Sequence, residues 1–143
     1  MNQTVERRVN ELLGRMTLED KVGQMNQVFR LEEADKDAIR QGAIGSSIFA
    51  SSAWAGKDMP SAAKAESANE FQRVAMTESR LGIPILFARD VIHGHRTVFP
   101  IPLAQAASWH PELTERADSI AAGEGTAEGI KWTFSPMLDI ARD

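Results

Sequence analysis

The sequence contains no cysteine, which excludes disulfides, thiolate nucleophiles and cysteine-ligated zinc in one step. The same absence leaves the redox compartment open. No apolar run approaches the roughly 20 residues that cross a bilayer. The N-terminal MNQTVERRVNELL lacks the apolar core of a secretory leader. As written the chain reads as cytoplasmic, and as periplasmic or secreted if a leader has been removed. Acidic and basic residues are interspersed with a net charge of −4, so no basic stripe can displace counterions from nucleic acid. Neither nucleic acid nor membrane is expected as a partner. There is no G-x-S-x-G elbow, no phosphate-binding Gly-Lys-Ser/Thr loop, no fixed-period repeat and no low-complexity linker. What remains is a globular balance, 43% hydrophobic and 25% charged over 143 residues, sufficient for one domain with a sizeable core.

Taken in order, Thr4 is placed to cap a first helix whose Val5, Val9, Leu12, Leu13 and Met16 recur at the spacing of one buried stripe. Thr17 starts a second helix, with Asp20 completing a shortened capping box and Leu18, Val22 and Met25 on its apolar side. A third helix is predicted from Glu33 to Arg40, ending at Gly42. Ala43 to Ala50 reads as a short strand, Ser51 to Pro60 as a loop carrying Trp54, and Ser61 to Arg80 as a helix. A strand follows at Ile83 to Arg89, then a helical turn at Pro102 to Ala107. Next comes a helix from Pro111 to about Glu128, closed by Gly129, with Leu113, Ala117, Ile120 and Ala121 on one face. Lys131 to Ile140 is the last predicted strand. Strands alternating with helices imply parallel pairing through right-handed crossovers. An open doubly wound sheet and the opening part of a (β/α)8 barrel both fit.

The stretch LGIPILFARDVIHGHRTVFPIPL, Leu81 to Leu103, concentrates the chemistry. A short apolar run bounded by Gly82 and Pro84 has the pattern of a strand buried on both faces. It gives way at once to Arg89, Asp90, His93, His95 and Arg96. Charged groups at the C-terminal end of a buried strand are where α/β proteins contact ligands. An ionised Asp90 in a partly dry site costs several kcal/mol unless it is paired. The bland alternative is a structural ion pair with Arg89 or Arg96.

Other motifs are weaker. Gly123, Gly125 and Gly129 have the wrong spacing and position for dinucleotide binding and are better explained by close helix packing. His93-x-His95 resembles a pair of metal ligands on an extended segment, but Gly94 and the following turn favour structural histidines that orient the loop. Trp109 and Trp132 read as core or staple residues, while Trp54 is open to sugar stacking. Asp90 and Asp139 stand at equivalent strand ends, where paired carboxylates would serve glycosidic cleavage. Each has an arginine nearby, which suits a binding or framework carboxylate better than a raised-pKa acid.

MTLEDKVGQMNQ (Met16 to Gln27), RLGIPILFARDVIHGHRTVFPIPLAQAASWHPEL (Arg80 to Leu113) and EGIKWTFSPMLDIARD (Glu128 to Asp143) together resemble the N-terminal region of glycoside hydrolase family 3, most of all its bacterial β-glucosidases. The resemblance implies a retaining, exo-acting enzyme that hydrolyses terminal β-D-glucosyl residues of a β-glucoside or oligosaccharide. It implies no cofactor and no metal. The fold it implies is the opening part of a (β/α)8 TIM-like barrel preceded by N-terminal helices. The aspartate of the matching block, here Asp90, is the one that binds hydroxyls of the terminal sugar in this family.

The departures are as informative. The family continues past Arg142 and Asp143 with a sugar-binding arginine, a Lys-His pair, the nucleophilic aspartate and the acid/base glutamate, none with a counterpart here. His110 stands where the family has a capping aspartate. A complete barrel needs about 250 residues. Residues 1–143 are therefore expected to be an incomplete N-terminal part, inactive alone, with the remainder of the barrel supplied by the same or another chain. A self-sufficient, non-catalytic sugar-binding or scaffold module is the alternative. A metal-dependent hydrolase using His93 and His95 is a further one.

Overall fold

The computed structural model describes residues 3–48 and 61–136. The readings placed on Trp54, Asp139, Arg142 and Asp143 lie outside these. Four strands, β1 (Gln27–Val28), β2 (Ser46–Ile48), β3 (Leu86–Arg89) and β4 (Trp132–Thr133), form one sheet. Every neighbouring pair is parallel and the spatial order is the chain order, β1-β2-β3-β4. A doubly wound sheet reverses direction at a switch point, whereas a barrel adds each strand beside the last. The uninterrupted order therefore decides for the opening part of a (β/α)8-type barrel.

Helices α1 (Gln3–Arg15) and α2 (Leu18–Met25) precede the sheet. A 3-10 turn (Glu33–Asp35) and α3 (Lys36–Arg40) link β1 to β2. Helix α4 (Ser61–Glu78) precedes β3, and α5 (Pro102–Ala107) and α6 (Pro111–Ala127) link β3 to β4. The predicted punctuation is largely present. Thr17 and Asp20 form a reciprocal capping box. Gly42 and Gly129 take φ of 74° and 88°, the left-handed values that end a helix.

The core lies between the sheet and helices α3 and α4. Ile39, Ala68, Phe71, Val74, Ala75, Ile85 and Phe87 form one buried cluster. Phe87 is 1% exposed, because odd-numbered positions of β3 face α4. Just before the strand, the Gln72 side chain stands in for a ladder partner. Its Oε1 accepts from the Ile85 N–H at 2.9 Å and its Nε2 donates to the Ile85 carbonyl at 2.6 Å.

Several expectations are corrected. Strand β1 is absent from the sequence reading; two residues are too few for a periodic signal. Strand β3 begins at Leu86 and not at Ile83, since Gly82 (φ 63°) and Pro84 delay the ladder. Its burial on the face away from α4 is only partial: Ala88 is fully buried there, while Leu86 is 42% exposed. Helix α1 already includes Thr4, so Thr4 is not its cap. The expected buried stripe is open: Val5, Val9 and Leu13 on α1, and Leu18, Val22 and Met25 on α2, are all exposed. On α6 only Ala117 and Ala121 of the predicted face are buried, while Leu113 and Ile120 are exposed. Trp109 and Trp132 are not core residues. Trp109 projects from a turn with φ 54° and is 91% exposed, and Trp132 stacks edge to face on Phe134 at 5.0 Å while staying 40% exposed. Amphipathic spacing identifies an apolar face without identifying what covers it.

Candidate functional site

The mouth of the sheet is built at the end of β3. Leu86, Ala88 and Asp90 alternate onto the face away from α4. The Asp90 backbone is held on both sides. The preceding carbonyl, of Arg89, accepts from the Phe134 N–H at 3.3 Å, and the following one, of Val91, accepts from Ser135 Oγ at 2.5 Å and Thr133 Oγ1 at 3.3 Å. Val91 is buried, whereas Asp90 is exposed. Among the described residues, no hydrogen bond or ion pair engages the Asp90 carboxylate, and neither Arg89 nor Arg96 is salt-bridged to it.

The loop that follows folds back on itself. Gly94 and Val98 form an antiparallel bridge, and the Phe99 N–H donates to the His93 carbonyl at 2.8 Å. The turn requires glycine at Gly94: φ is 115°, and a Cβ there would lie 2.0 Å from the Thr97 carbonyl oxygen. The His93 Nδ1 donates to the Phe99 carbonyl at 2.9 Å. His95 is tied to Glu128 at 2.9 Å, so both histidines orient the loop, as their alternative to metal ligation predicts. Among the described residues, no group of three His, Cys, Asp or Glu side chains is arranged to hold a metal ion.

Two carboxylates one turn apart at the end of α6 grip this loop. Glu124 Oε2 accepts from the Arg96 and Thr97 N–H groups at 2.8 and 2.9 Å, and its Oε1 accepts from Thr97 Oγ1 at 2.6 Å. The Thr97 hydroxyl and N–H hold the Glu124 carboxyl below its ordinary range, aided by the Arg96 N–H and the nearby His95. Glu128, 2% exposed, accepts from Arg96 Nε at 2.6 Å and from His95 Nε2 at 2.9 Å. A buried carboxylate is costly without such donors. The sequence reading missed both glutamates as loop anchors. A signal was present: two acids in the last turn of a helix sit at the negative end of its dipole, which requires compensating donors.

A groove of about 510 Å³ lies between β4 and helices α5 and α6 and does not include Asp90. Its walls are mainly apolar, including Val91, Ala121 and Ile130, and its charged groups are Asp118 and Lys131. That pattern suits packing better than chemistry. At the dinucleotide-like glycines, Gly125 is buried with Ile130 3.8 Å from a would-be Cβ, while Gly123 has nothing near it.

Residues 17–143 match the family model described as the glycosyl hydrolase family 3 N terminal domain. This chain belongs to that family. Among curated family 3 relatives, the periplasmic beta-glucosidase of Salmonella typhimurium is 34% identical over 94% of this chain. Among solved structures, the beta-glucosidase of Listeria innocua superposes with a TM-score of 0.74 at 34% identity over all of this chain. A D270A form of it was solved in complex with laminaribiose. The exo-1,3/1,4-beta-glucanase of a Pseudoalteromonas species superposes with a TM-score of 0.83 at 29% identity over 99%. This family 3 chain spans 17% of the Salmonella protein, 20% of the Listeria one and 19% of the Pseudoalteromonas one.

Proposed function

We propose that residues 1–143 form the opening part of a retaining, exo-acting β-glucosidase barrel and contribute Asp90 to the subsite that holds the terminal β-D-glucosyl residue. The observation that carries this reading is the Asp90 carboxylate itself. It stands at the C-terminal end of a barrel strand with its backbone fixed on both sides and, among the described residues, no partner for its charge. The names of the relatives supply the substrate class. An ionised carboxylate there accepts hydrogen bonds from sugar hydroxyls. Such charge-assisted bonds are roughly twice as strong as neutral ones and hold the ring in line for attack. Asp90 transfers no proton in this scheme. The nucleophile and the acid/base are contributed from outside residues 1–143, by the rest of the barrel in the same or another chain. A periplasmic setting follows the Salmonella relative. No helix among the described residues is long and apolar enough to cross a membrane.

The test replaces Asp90 with Ala in a polypeptide joining these residues to a complete family barrel. kcat/KM on 4-nitrophenyl β-D-glucoside is expected to fall by at least about 100-fold, as loss of two charge-assisted hydrogen bonds implies. An unchanged value ends the proposal.

A further inference from the structure

We infer that Glu124 is a positioning residue for Asp90. The inference rests on the reading of Asp90 as a sugar ligand and extends it to a residue 34 positions away in sequence. Asp90 makes no side-chain bond of its own to another described residue, so its aim depends on the backbone on either side of it. Toward the N-terminus that backbone is sheet. Toward the C-terminus the Val91 carbonyl accepts from Ser135 Oγ and Thr133 Oγ1, and the chain then enters the 93–99 loop, whose internal bonds fix its shape but not its place in the molecule. Glu128 supplies part of that place through two side chains, and Glu124 the part that grips the backbone. Glu124 takes three hydrogen bonds from two successive residues, all 2.9 Å or shorter. Two of the donors are backbone N–H groups, so the contact holds the chain itself and not only a side chain. Glu128, one turn further along α6, holds His95 and Arg96 from the same helix. A ligand-binding group keeps its geometry only when supporting residues lock its surroundings, and a displacement of about 1 Å can cost about 100-fold in rate.

Glu124→Ala in the complete barrel is expected to lower kcat/KM by about 10- to 100-fold on 4-nitrophenyl β-D-glucoside. Glu124→Gln should recover most of that loss. Its amide oxygen can accept both N–H groups while its nitrogen donates to the Thr97 hydroxyl. The decisive measurement repeats Glu124→Ala in the Asp90→Ala background, where it should cost less than about 3-fold, because a residue acting through Asp90 has nothing left to position. Equal losses in both backgrounds, or no loss in the parent, overturn the inference while leaving Asp90 as a ligand. If Asp90→Ala alone leaves activity unchanged, the functional reading falls and this inference falls with it. Should Glu124→Ala not fold, Thr97→Val removes one of the three bonds. It must then show a smaller loss, about 3- to 10-fold, that also disappears without Asp90; an additive loss overturns the inference.

Discussion

Behind β3 and in front of it, the same strand meets two different environments. On the α3–α4 side, apolar groups are buried and the charges are joined in a chain of ion pairs. Lys36 bridges Glu33 and Glu70, Arg73 bridges Glu70 and Glu78, and Arg40 bridges Glu78 and Asp37, all within 3.1 Å. At the mouth, Glu124 and Glu128 are likewise hydrogen-bonded, yet Asp90 has no partner among the described residues. The carboxylates where α3 and α4 face each other are paired, whereas Asp90 is unpaired on a backbone held at both sides, which separates holding the fold from holding a ligand. Along the chain the two roles are almost adjacent, with Phe87 packed behind β3 and Asp90 just past its end.

The sharpest way to break that separation is to truncate both ends of it. Phe87→Ala empties a fully buried position and should cost about 3–5 kcal/mol, read as a lowered urea midpoint by tryptophan fluorescence. Asp90→Ala should leave the stability within about 0.5 kcal/mol, since it removes an exposed group with no side-chain partner among the described residues. A large stability loss at Asp90 would make it a framework carboxylate and abolish the contrast.

A smaller effect sharpens the packed side. Gln72→Leu removes both bonds to the Ile85 backbone and leaves a buried N–H and C=O unsatisfied. The expected cost is about 1–3 kcal/mol in the same unfolding measurement. A neutral result would mean that the approach to β3 is held by apolar packing alone.

How far the sequence revealed these two environments differs between them. The capping box at Thr17, the left-handed Gly42 and Gly129, and helices α4 to α6 follow from local chemistry that the chain carries on its face. The barrel order did not. It emerges from which strands pair, and β1 is too short to leave a pattern. At the mouth, the cluster from Arg89 to Arg96 was legible as chemistry, but its partition was not. That Arg96 goes to Glu128 and not to Asp90 depends on a contact 32 residues apart. The apolar stripes of α1 and α2 misled for a related reason: a helix's own period marks the face to be covered, while the cover belongs to other parts of the molecule.

The smallest expected effect concerns the ion pairs behind the strand. Hydrogen bonds from Arg73 and Lys36 hold the Glu70 pKa at about 2, against an ordinary 4.5. A carboxyl depressed in the folded state contributes stability above its unfolded value, and that contribution disappears as pH falls through the folded one. For Glu70 the window runs from about 4.5 down to about 2. Its side chain is 45% exposed, so solvent and salt screen the pair and the contribution is modest. Glu70→Gln should therefore flatten the fall of the urea midpoint across that window at low salt, and the difference from the parent should shrink at about 1 M salt, where screening reaches about 3 Å. Parallel curves for the two proteins would show that the ion pairs behind β3 contribute nothing measurable. The contrast with Asp90 would then rest on the buried apolar cluster alone.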